Sequence, residues 1–226
     1  MRWTVFAVAA AALLASPVLA HDVSAANAAY VEGLAGPAPV SFLYLGAKHM
    51  VTGIDHVLFL LGVVFFLRNL RDIVIYVSLF TLGHSLTLIT GVLAGWQVNP
   101  FLVDAIIGVS VVYKAFENIG GFDKLSGAKL DMRWAVFAFG LAHGLGLATK
   151  LQALTLSEDG LLTNLLSFNL GVEIGQVLVL CILVALLKLW QRAPAFPRQA
   201  YAANAAIMCA GFVLIGLHLT GMSQTA

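Results

Sequence analysis

Six apolar stretches, each about as long as a membrane-spanning helix, dominate this sequence. A helix needs roughly 20 apolar residues to cross about 30 Å of hydrocarbon, because each residue advances it by about 1.5 Å. The stretches cover residues 46–67, 72–94, 100–119, 133–150, 161–189 and 201–220. They predict an all-α fold, a polytopic membrane helix bundle of about six transmembrane helices, with the lipid bilayer as its surroundings.

The composition agrees with a bilayer as the solvent of this chain. Hydrophobic residues make up 61% of it and charged residues 10%, and the mean hydropathy is +0.95. Soluble domains carry about 25% charged residues, so a chain this apolar cannot cover a water-facing surface. The formal net charge of +1 gives no reason to expect a nucleic-acid partner.

The N-terminus has the pattern of a cleaved secretory signal. The first two residues form a short basic segment, residues 4–14 are apolar, and residues 18–20 suit a signal peptidase. We therefore expect cleavage after Ala20, so that the mature protein begins at His21. The alternative is an uncleaved first helix. The expected organisation is a signal peptide at 1–20, a periplasmic lead-in at 21–40 and a six-helix transmembrane domain at 41–222.

The positive charges favour one orientation of the bundle. Only Lys48 and Lys150 lie on the side of the mature N-terminus, and Arg2 lies in the signal. The remaining cations fall in or beside the alternate loops: Arg68, Arg71, Lys114, Lys124, Lys129, Arg133, Lys188, Arg192 and Arg198. The positive-inside rule makes those loops cytoplasmic. We expect a bacterial inner (plasma) membrane protein with both mature termini in the periplasm.

Several ionisable residues fall within the predicted membrane-spanning stretches, in the hydrocarbon core of the bilayer. Such residues are costly in lipid and usually face the bundle interior, where they have a function. They are His49, Asp55, His56, His84, His143 and Glu173. At about 1.5 Å per residue, the last four lie roughly 10–18 Å from the outer ends of their helices. Imidazole and carboxylate groups at one depth are a ligand set for a divalent transition metal, although a membrane histidine can also simply hydrogen-bond between helices.

The spacing within the first stretch leaves two arrangements open. His49 and His56 share a helix face, but a regular helix would separate them by roughly 10 Å along its axis. One ion could bind both if the helix breaks at Gly53, and otherwise we expect an outer and a central site. Asp55 is either a ligand or the group that fixes the tautomer of a neighbouring histidine.

Other polar residues extend the candidate site. Asn169, Glu173 and Gln176 follow one another at the spacing of a single helix face. The free amine and imidazole of the expected mature N-terminus could capture a metal ion outside the membrane. Residues that would support the ligands or line the pathway are therefore Ser85, Asn169, Gln176, Glu117 and His21.

The second and fourth stretches repeat one pattern. Both read Phe-x-Leu-x-His-x-Leu-x-Leu-x-Thr, at residues 80–90 and 139–149. Both helices are expected to run from the inside to the outside. Repeated halves are common in transporters, so the repeat adds to an interpretation as a transport protein.

Four motifs in order along residues 42–180 resemble the HupE/UreJ family of membrane proteins. They are His49-x-x-x-Gly53-x-Asp55-His56, Phe80-Thr-x-x-His84-Ser-x-Thr87-Leu, Gly140-x-x-His143-Gly and Asn169-x-Gly171-Val-Glu173-x-Gly175-Gln176. The resemblance implies a hydrogenase or urease accessory role and permeation of nickel or cobalt. It also implies metal passage at His49, Asp55 and His56, and by extension at His84, His143 and Glu173.

Three functions remain open at this point. The first is a secondary permease for a divalent metal ion, nickel or cobalt before zinc, driven by a gradient because the sequence has no Walker motif. The second is an intramembrane zinc-dependent hydrolase built on three histidines with Asp55 and Ser85. The third is a non-catalytic membrane subunit that works with metalloenzyme maturation proteins.

Overall fold

A computed structural model describes residues 25–125, 131–154 and 157–225. Its regular structure within those ranges is helical without strands, as the all-α prediction requires. The helices are α1 (Ala25–Glu32), α2 (Pro39–Thr52), α3 (Ile54–Val64), α4 (Leu70–Leu93), α5 (Pro100–Asn118), α6 (Gly121–Leu125), α7 (Met132–Gln152), α8 (Leu161–Trp190) and α9 (Phe196–Thr225). The predicted signal peptide and His21 lie outside the described residues.

Four of these helices are each long and apolar enough to cross a membrane. By length and composition α4, α7, α8 and α9 qualify, and the bent pair α2–α3 adds a fifth if it forms one span. α5 carries three charged residues among its 19. It nevertheless runs antiparallel along α9, since Phe101 lies beside Gly221 and Val112 beside Gly211. α5 therefore shares the depth of a spanning helix, and the chain is a multi-pass membrane protein.

Local sequence accounts for where two of these helices begin. Pro100 stands in the first turn of α5, and the Asn99 side chain accepts a hydrogen bond from the backbone N–H of Phe101 at 3.0 Å. The Asp131 carboxylate caps α7 in the same way by accepting from the backbone N–H of Arg133 at 3.0 Å. These caps satisfy donors that have no partner inside the helix.

The first predicted span is not one regular helix. α2 ends at Thr52, α3 begins at Ile54, and the two axes differ by 64°. Gly53 lies between them with φ −72° and ψ 100°, an extended conformation that interrupts the helix. The break that this glycine was expected to permit is present, and it places Asp55 and His56 in the first turn of a new helix.

The two helices that carry the repeated pattern pack side by side in parallel. A Cβ atom at Gly140 would lie 2.3 Å from the backbone oxygen of Phe80, and one at Gly144 would lie 2.1 Å from that of His84. The two backbones are in direct contact, which only glycine allows at these points. This contact holds α4 and α7 in a fixed register and brings their histidines to the same level.

A second parallel pair, α2 and α8, is built on the same principle. A Cβ atom at Gly171 would lie 2.0 Å from the backbone oxygen of Leu43. We expect Gly171→Ala to separate the helices and to destabilise the protein by about 1–3 kcal/mol or more, since a backbone atom cannot move aside as a side chain can. Thermal unfolding of the detergent-purified variant, together with its level in the membrane, measures this effect.

Gly216→Ala is the matched control for that variant. Gly216 lies in α9, and apart from the adjoining residues and backbone of α9 no heavy atom of the described residues lies within 4 Å of the place that a Cβ atom would take there. Alanine also has the better helix propensity, by about 0.5–1 kcal/mol. The control should be at least as stable as the unsubstituted protein, and equal stability of the two variants would contradict the packing argument.

Candidate functional site

The break at Gly53 brings together two histidines that a straight helix would keep apart. His49 lies in the last turn of α2, and His56 lies in the first turn of α3. Their ring centroids are 5.1 Å apart, whereas seven residues of regular helix would place them roughly 10 Å apart along the axis. Of the two arrangements left open by the sequence, the structure has the one in which both rings belong to a single cluster.

His56 also contacts the two histidines of the repeated pattern. Its ring centroid lies 4.9 Å from that of His143 on α7 and 6.1 Å from that of His84 on α4. These three side chains are at most 1% exposed, while His49 is partly buried. We call His49, His56, His84 and His143 the histidine cluster. Its members come from four helices and meet inside the bundle.

Two members of the cluster have their ring orientation set by a second group. Asp55, which is buried, lies with Oδ1 3.1 Å from His56 Nδ1 and also accepts the backbone N–H of His56 at 2.8 Å. His143 Nδ1 donates to the backbone oxygen of Phe139 at 2.8 Å, because a carbonyl can only accept. Both contacts place the ring proton on Nδ1 and the lone pair on Nε2. Histidines that bind metals are usually oriented in this way.

The third buried ring has no such support. Among the described residues, neither nitrogen of His84 has a hydrogen-bond partner, and neither has Nε2 of His143. A buried polar atom without a partner costs about 1–3 kcal/mol, so native structures rarely leave one without a reason. Water or a cation between these rings would satisfy the unpaired nitrogens.

The cluster is not a preformed coordination sphere. In the part of the chain that the structure describes, no three His, Cys, Asp or Glu side chains are arranged to hold a metal ion. The rings around His56 instead meet edge to face, at interplanar angles of 68° to 76°. Nitrogen ligands lie about 2.0–2.1 Å from zinc, so these rings would have to turn before three of them bound one ion.

A small cavity lies next to the cluster on the side predicted to be periplasmic. Its volume is ≈ 50 Å³, enough for water, and its lining includes His49 and Val31 of α1. The buried amide of Asn164 fixes the chain after α1. Its Oδ1 accepts the N–H of Ala38 at 2.7 Å, and its Nδ2 donates to the oxygen of Gly36 at 3.1 Å. The lead-in segment thus contributes to the cavity wall near His49.

Three phenylalanines close the opposite side of the cluster. We call Phe59, Phe80 and Phe139 the aromatic floor. The ring of His143 lies 5.4 Å from that of Phe59 and 5.0 Å from that of Phe80. Phe59 in turn lies 5.2 Å from Phe80 and 5.8 Å from Phe139. These rings separate the imidazoles from the side of the bundle predicted to be cytoplasmic.

A sequence model of the HupE / UreJ protein family matches residues 25–225. The chain belongs to the HupE/UreJ family. The match covers all of the described residues, including every helix that contributes to the histidine cluster. Comparisons with curated proteins and with solved structures gave no match.

In this HupE/UreJ protein, Glu173 is not part of the histidine cluster. Its side chain is exposed on α8, next to the exposed residues Ile174 and Val177, whereas Val172 and Gln176 are buried. Its expected role as a ligand rested on its depth in the bilayer, and depth does not determine which way a helix face points. The inclusion of Glu173 among the metal ligands is therefore corrected.

The other polar residues of the α8 stripe join that helix to α4. Ser85 donates its hydroxyl hydrogen to Asn169 Oδ1 at 2.9 Å, and Thr81 donates to Gln176 Oε1 at 3.1 Å. Gln176 also donates to the backbone oxygen of Val77 at 3.5 Å. These bonds hold α4, the helix that carries His84. Ser85, Asn169 and Gln176 thus connect α8 to the helix that carries His84, and none of them belongs to the histidine cluster.

Glu117 belongs to a separate polar network near the predicted cytoplasmic end. Its carboxylate pairs with the ammonium group of Lys114. The same ammonium group donates to Asn118 Oδ1 at 2.8 Å, and Asn118 is hydrogen-bonded to Asn204 at 2.8 Å. The sequence predicted Glu117 as a pathway residue but missed both asparagines. Asn118 follows Lys114 by four residues, a spacing that places both on one helix face, whereas no local spacing indicates Asn204.

Proposed function

We propose that this HupE/UreJ protein is a secondary permease for a divalent transition metal ion, with nickel or cobalt as its substrate. The observation that carries the proposal is the hydrogen bonding of His56 and His143. Each has Nδ1 directed at an oxygen, Asp55 Oδ1 or the Phe139 carbonyl, so Nε2 is the nitrogen that can bind a metal. Neutral imidazoles that share a buried space are ligands for nickel, cobalt and zinc.

The absence of a closed coordination sphere suits a transported ion. An ion that crosses a membrane must bind well enough to enter and weakly enough to leave. Edge-to-face rings that turn toward an arriving ion would provide such transient binding. The ion would pass from the cavity beside His49 to the histidine cluster, and then through the aromatic floor once those phenylalanines move.

The setting of this activity is also part of the proposal. The charge distribution supports a location in a bacterial inner membrane with both mature termini in the periplasm. Metal ions would then arrive from the periplasmic side and reach the cytoplasm, where metalloenzyme maturation proteins could receive them. The driving force would be an ion gradient or the membrane potential.

The hydrolase alternative is less well supported. A hydrolase would need a bound zinc ion and a group that activates water or attacks the substrate. Ser85 directs its hydroxyl at Asn169, so it is engaged by α8 and is not available as a nucleophile in this arrangement. The accessory-subunit alternative predicts stable co-purification with a metalloenzyme, without metal uptake.

His84→Ala tests the permease directly. His84 contributes two buried nitrogens without partners among the described residues, and its removal leaves at most three imidazoles in the cluster. We expect cells that lack their own nickel uptake to accumulate several-fold less nickel and cobalt with this variant than with the unsubstituted protein. Elemental analysis of washed cells measures the accumulated metal, and immunoblotting of membranes measures the protein.

His218→Ala is the matched control for histidine removal. His218 lies on α9 with Nδ1 3.7 Å from Asp104 Oδ2, and it is outside the histidine cluster. This variant should retain uptake. Equal uptake by both variants at equal protein levels would contradict the permease. Zinc that does not exchange, together with lipid or amide hydrolysis by purified protein, would favour the hydrolase instead.

A further inference from the structure

A larger cavity lies beyond the aromatic floor. Its volume is ≈ 260 Å³. Val63 follows Phe59 by one helical turn, and Tyr76 precedes Phe80 by one turn, so the cavity begins about 6 Å past the floor. An ion that passed the phenylalanines would enter this space. The residues that line it are Val63, Phe66, Leu67, Tyr76, Lys114, Glu117, Asn118 and Met132.

The cavity already contains a positive charge. Lys114 is 7% exposed, unlike the lysines that extend from a membrane helix into water. Its ammonium group contacts the Glu117 carboxylate and lies 2.8 Å from Asn118 Oδ1. A Cβ atom at Gly62 would lie 3.1 Å from Cγ of this lysine, so the glycine leaves room for the lysine stem. A cation buried inside the bundle is expected to have a function.

The oxygen atoms around that ammonium group are held in place by other helices. Asn118 Nδ2 donates to the backbone oxygen of Gly62 on α3 and to Asn204 Oδ1 on α9, both at 2.8 Å. Asn204 is fully buried and donates from its own Nδ2 to the oxygen of Ala200 at 2.9 Å. With its amide nitrogen engaged twice, Asn118 must direct its Oδ1 toward Lys114. The oxygens of Asn118 and Glu117 therefore form a cation-binding group joined to three helices.

We propose that this cavity is a second cation-binding station, at which the Lys114 ammonium group takes the place of a divalent ion until an arriving ion displaces it. The proposal rests on the permease function, since it places the station after the histidine cluster on the same pathway. Carboxylate and amide oxygens bind divalent ions more weakly than imidazole binds nickel, which favours release. The flexible four-carbon stem of lysine lets the ammonium group leave and return. Lys114 would keep the station neutral when no ion is present.

Lys114→Met in a His56→Ala background tests the station without relying on uptake. Mn²⁺ is the probe because it prefers oxygen ligands. The histidine cluster supplies imidazole nitrogens, and with His56 replaced it should bind Mn²⁺ only weakly. Removal of the ammonium group leaves the Glu117 carboxylate and Asn118 Oδ1 without their cation. We expect the double variant to bind one more Mn²⁺ per chain than the His56→Ala parent, as measured by electron paramagnetic resonance of free Mn²⁺.

Two further substitutions show whether the added ion occupies the proposed place. Adding Glu117→Gln should abolish the extra Mn²⁺, because the only carboxylate among the described cavity-lining residues is gone. Lys114→Arg, which keeps a cation, should bind no extra Mn²⁺. No gain in Lys114→Met, or a gain that survives Glu117→Gln, would overturn the second station. If Lys114→Met binds the extra Mn²⁺ but the unsubstituted protein takes up no nickel, the second station is supported and the permease proposal is contradicted.

A measurement on the unsubstituted protein remains decisive if Lys114→Met does not fold. Displacement by an ion should expose the Lys114 amine to a small water-soluble acylating reagent. We expect nickel to raise the labelling of Lys114 several-fold, as measured by mass spectrometry of the purified protein. Lys188, an exposed lysine on α8, provides the internal control and should label equally with and without nickel. Equal labelling of Lys114 with and without nickel would contradict displacement of its ammonium group by the ion.

Discussion

Replacing His56 with alanine is expected to abolish nickel and cobalt accumulation while the protein remains in the membrane. His56 is the centre of the histidine cluster, since its ring contacts those of His49, His84 and His143. Alanine removes one of the proposed ligands and also the contact that joins the others. We expect the loss in metal affinity to exceed the roughly 10–100-fold that follows the removal of a group supporting a ligand. Equilibrium dialysis with elemental analysis measures binding by the purified protein.

Asp55→Asn provides a graded comparison at the same place. Asparagine keeps an oxygen near His56 Nδ1 but removes the negative charge that makes the imidazole a stronger ligand. Metal affinity should fall by roughly 10–100-fold, less than with His56→Ala. His218→Ala should leave affinity unchanged. If His56→Ala bound nickel as tightly as the unsubstituted protein, the histidine cluster would not be the metal site.

Gly53→Ala is the second substitution with a large expected effect. The backbone at Gly53 is in a region open to any residue, so the constraint is space and not conformation. A Cβ atom there would lie 2.9 Å from His56 Nδ1 and 3.0 Å from the backbone oxygen of His49. Alanine also favours a continuous helix by about 1 kcal/mol. Both effects act to move the two rings toward the roughly 10 Å axial separation of a regular helix.

Uptake and protein level together measure this effect. We expect Gly53→Ala to reach the membrane, because a straighter α2–α3 is still an apolar helix, and to accumulate several-fold less nickel than the unsubstituted protein. Gly216→Ala is again the control, as it adds the same methyl group where no described atom beyond the adjoining residues and backbone of α9 lies within 4 Å. Full uptake by Gly53→Ala would mean that the break is not needed for the metal pathway.

Some features of the fold follow from short stretches of sequence. The apolar stretches at 72–94, 100–119, 133–150 and 161–189 correspond within about two residues to α4, α5, α7 and α8, because helix length in lipid is set by hydrophobic thickness. Asn99 and Asp131 mark helix starts through bonds to residues two positions later. The repeated pattern at 80–90 and 139–149 falls on α4 and α7, which pack against each other in parallel.

The candidate site depends on contacts between helices that are far apart in the sequence, and short stretches of sequence do not specify such contacts. Asn169, Glu173 and Gln176 share a stripe by their spacing, yet Glu173 is exposed while Gln176 is buried. The rotation of α8 about its axis decides this, and that rotation is set by the backbone contact of Gly171 with Leu43. The sequence allowed a break at Gly53 but did not determine its 64° bend.

The sequence by itself determined that this chain is a multi-pass helical protein of the HupE/UreJ family, and it predicted that three of its histidines share one depth in the membrane. Hydrophobic length, helix caps and motif order are local properties, so they can be read along one chain. Only the tertiary structure decided that His49 joins those three, that Glu173 does not, and that Lys114 occupies an inner cavity. Those outcomes depend on how helices far apart in sequence rotate and approach at glycine contacts, where a single Cβ atom changes the packing.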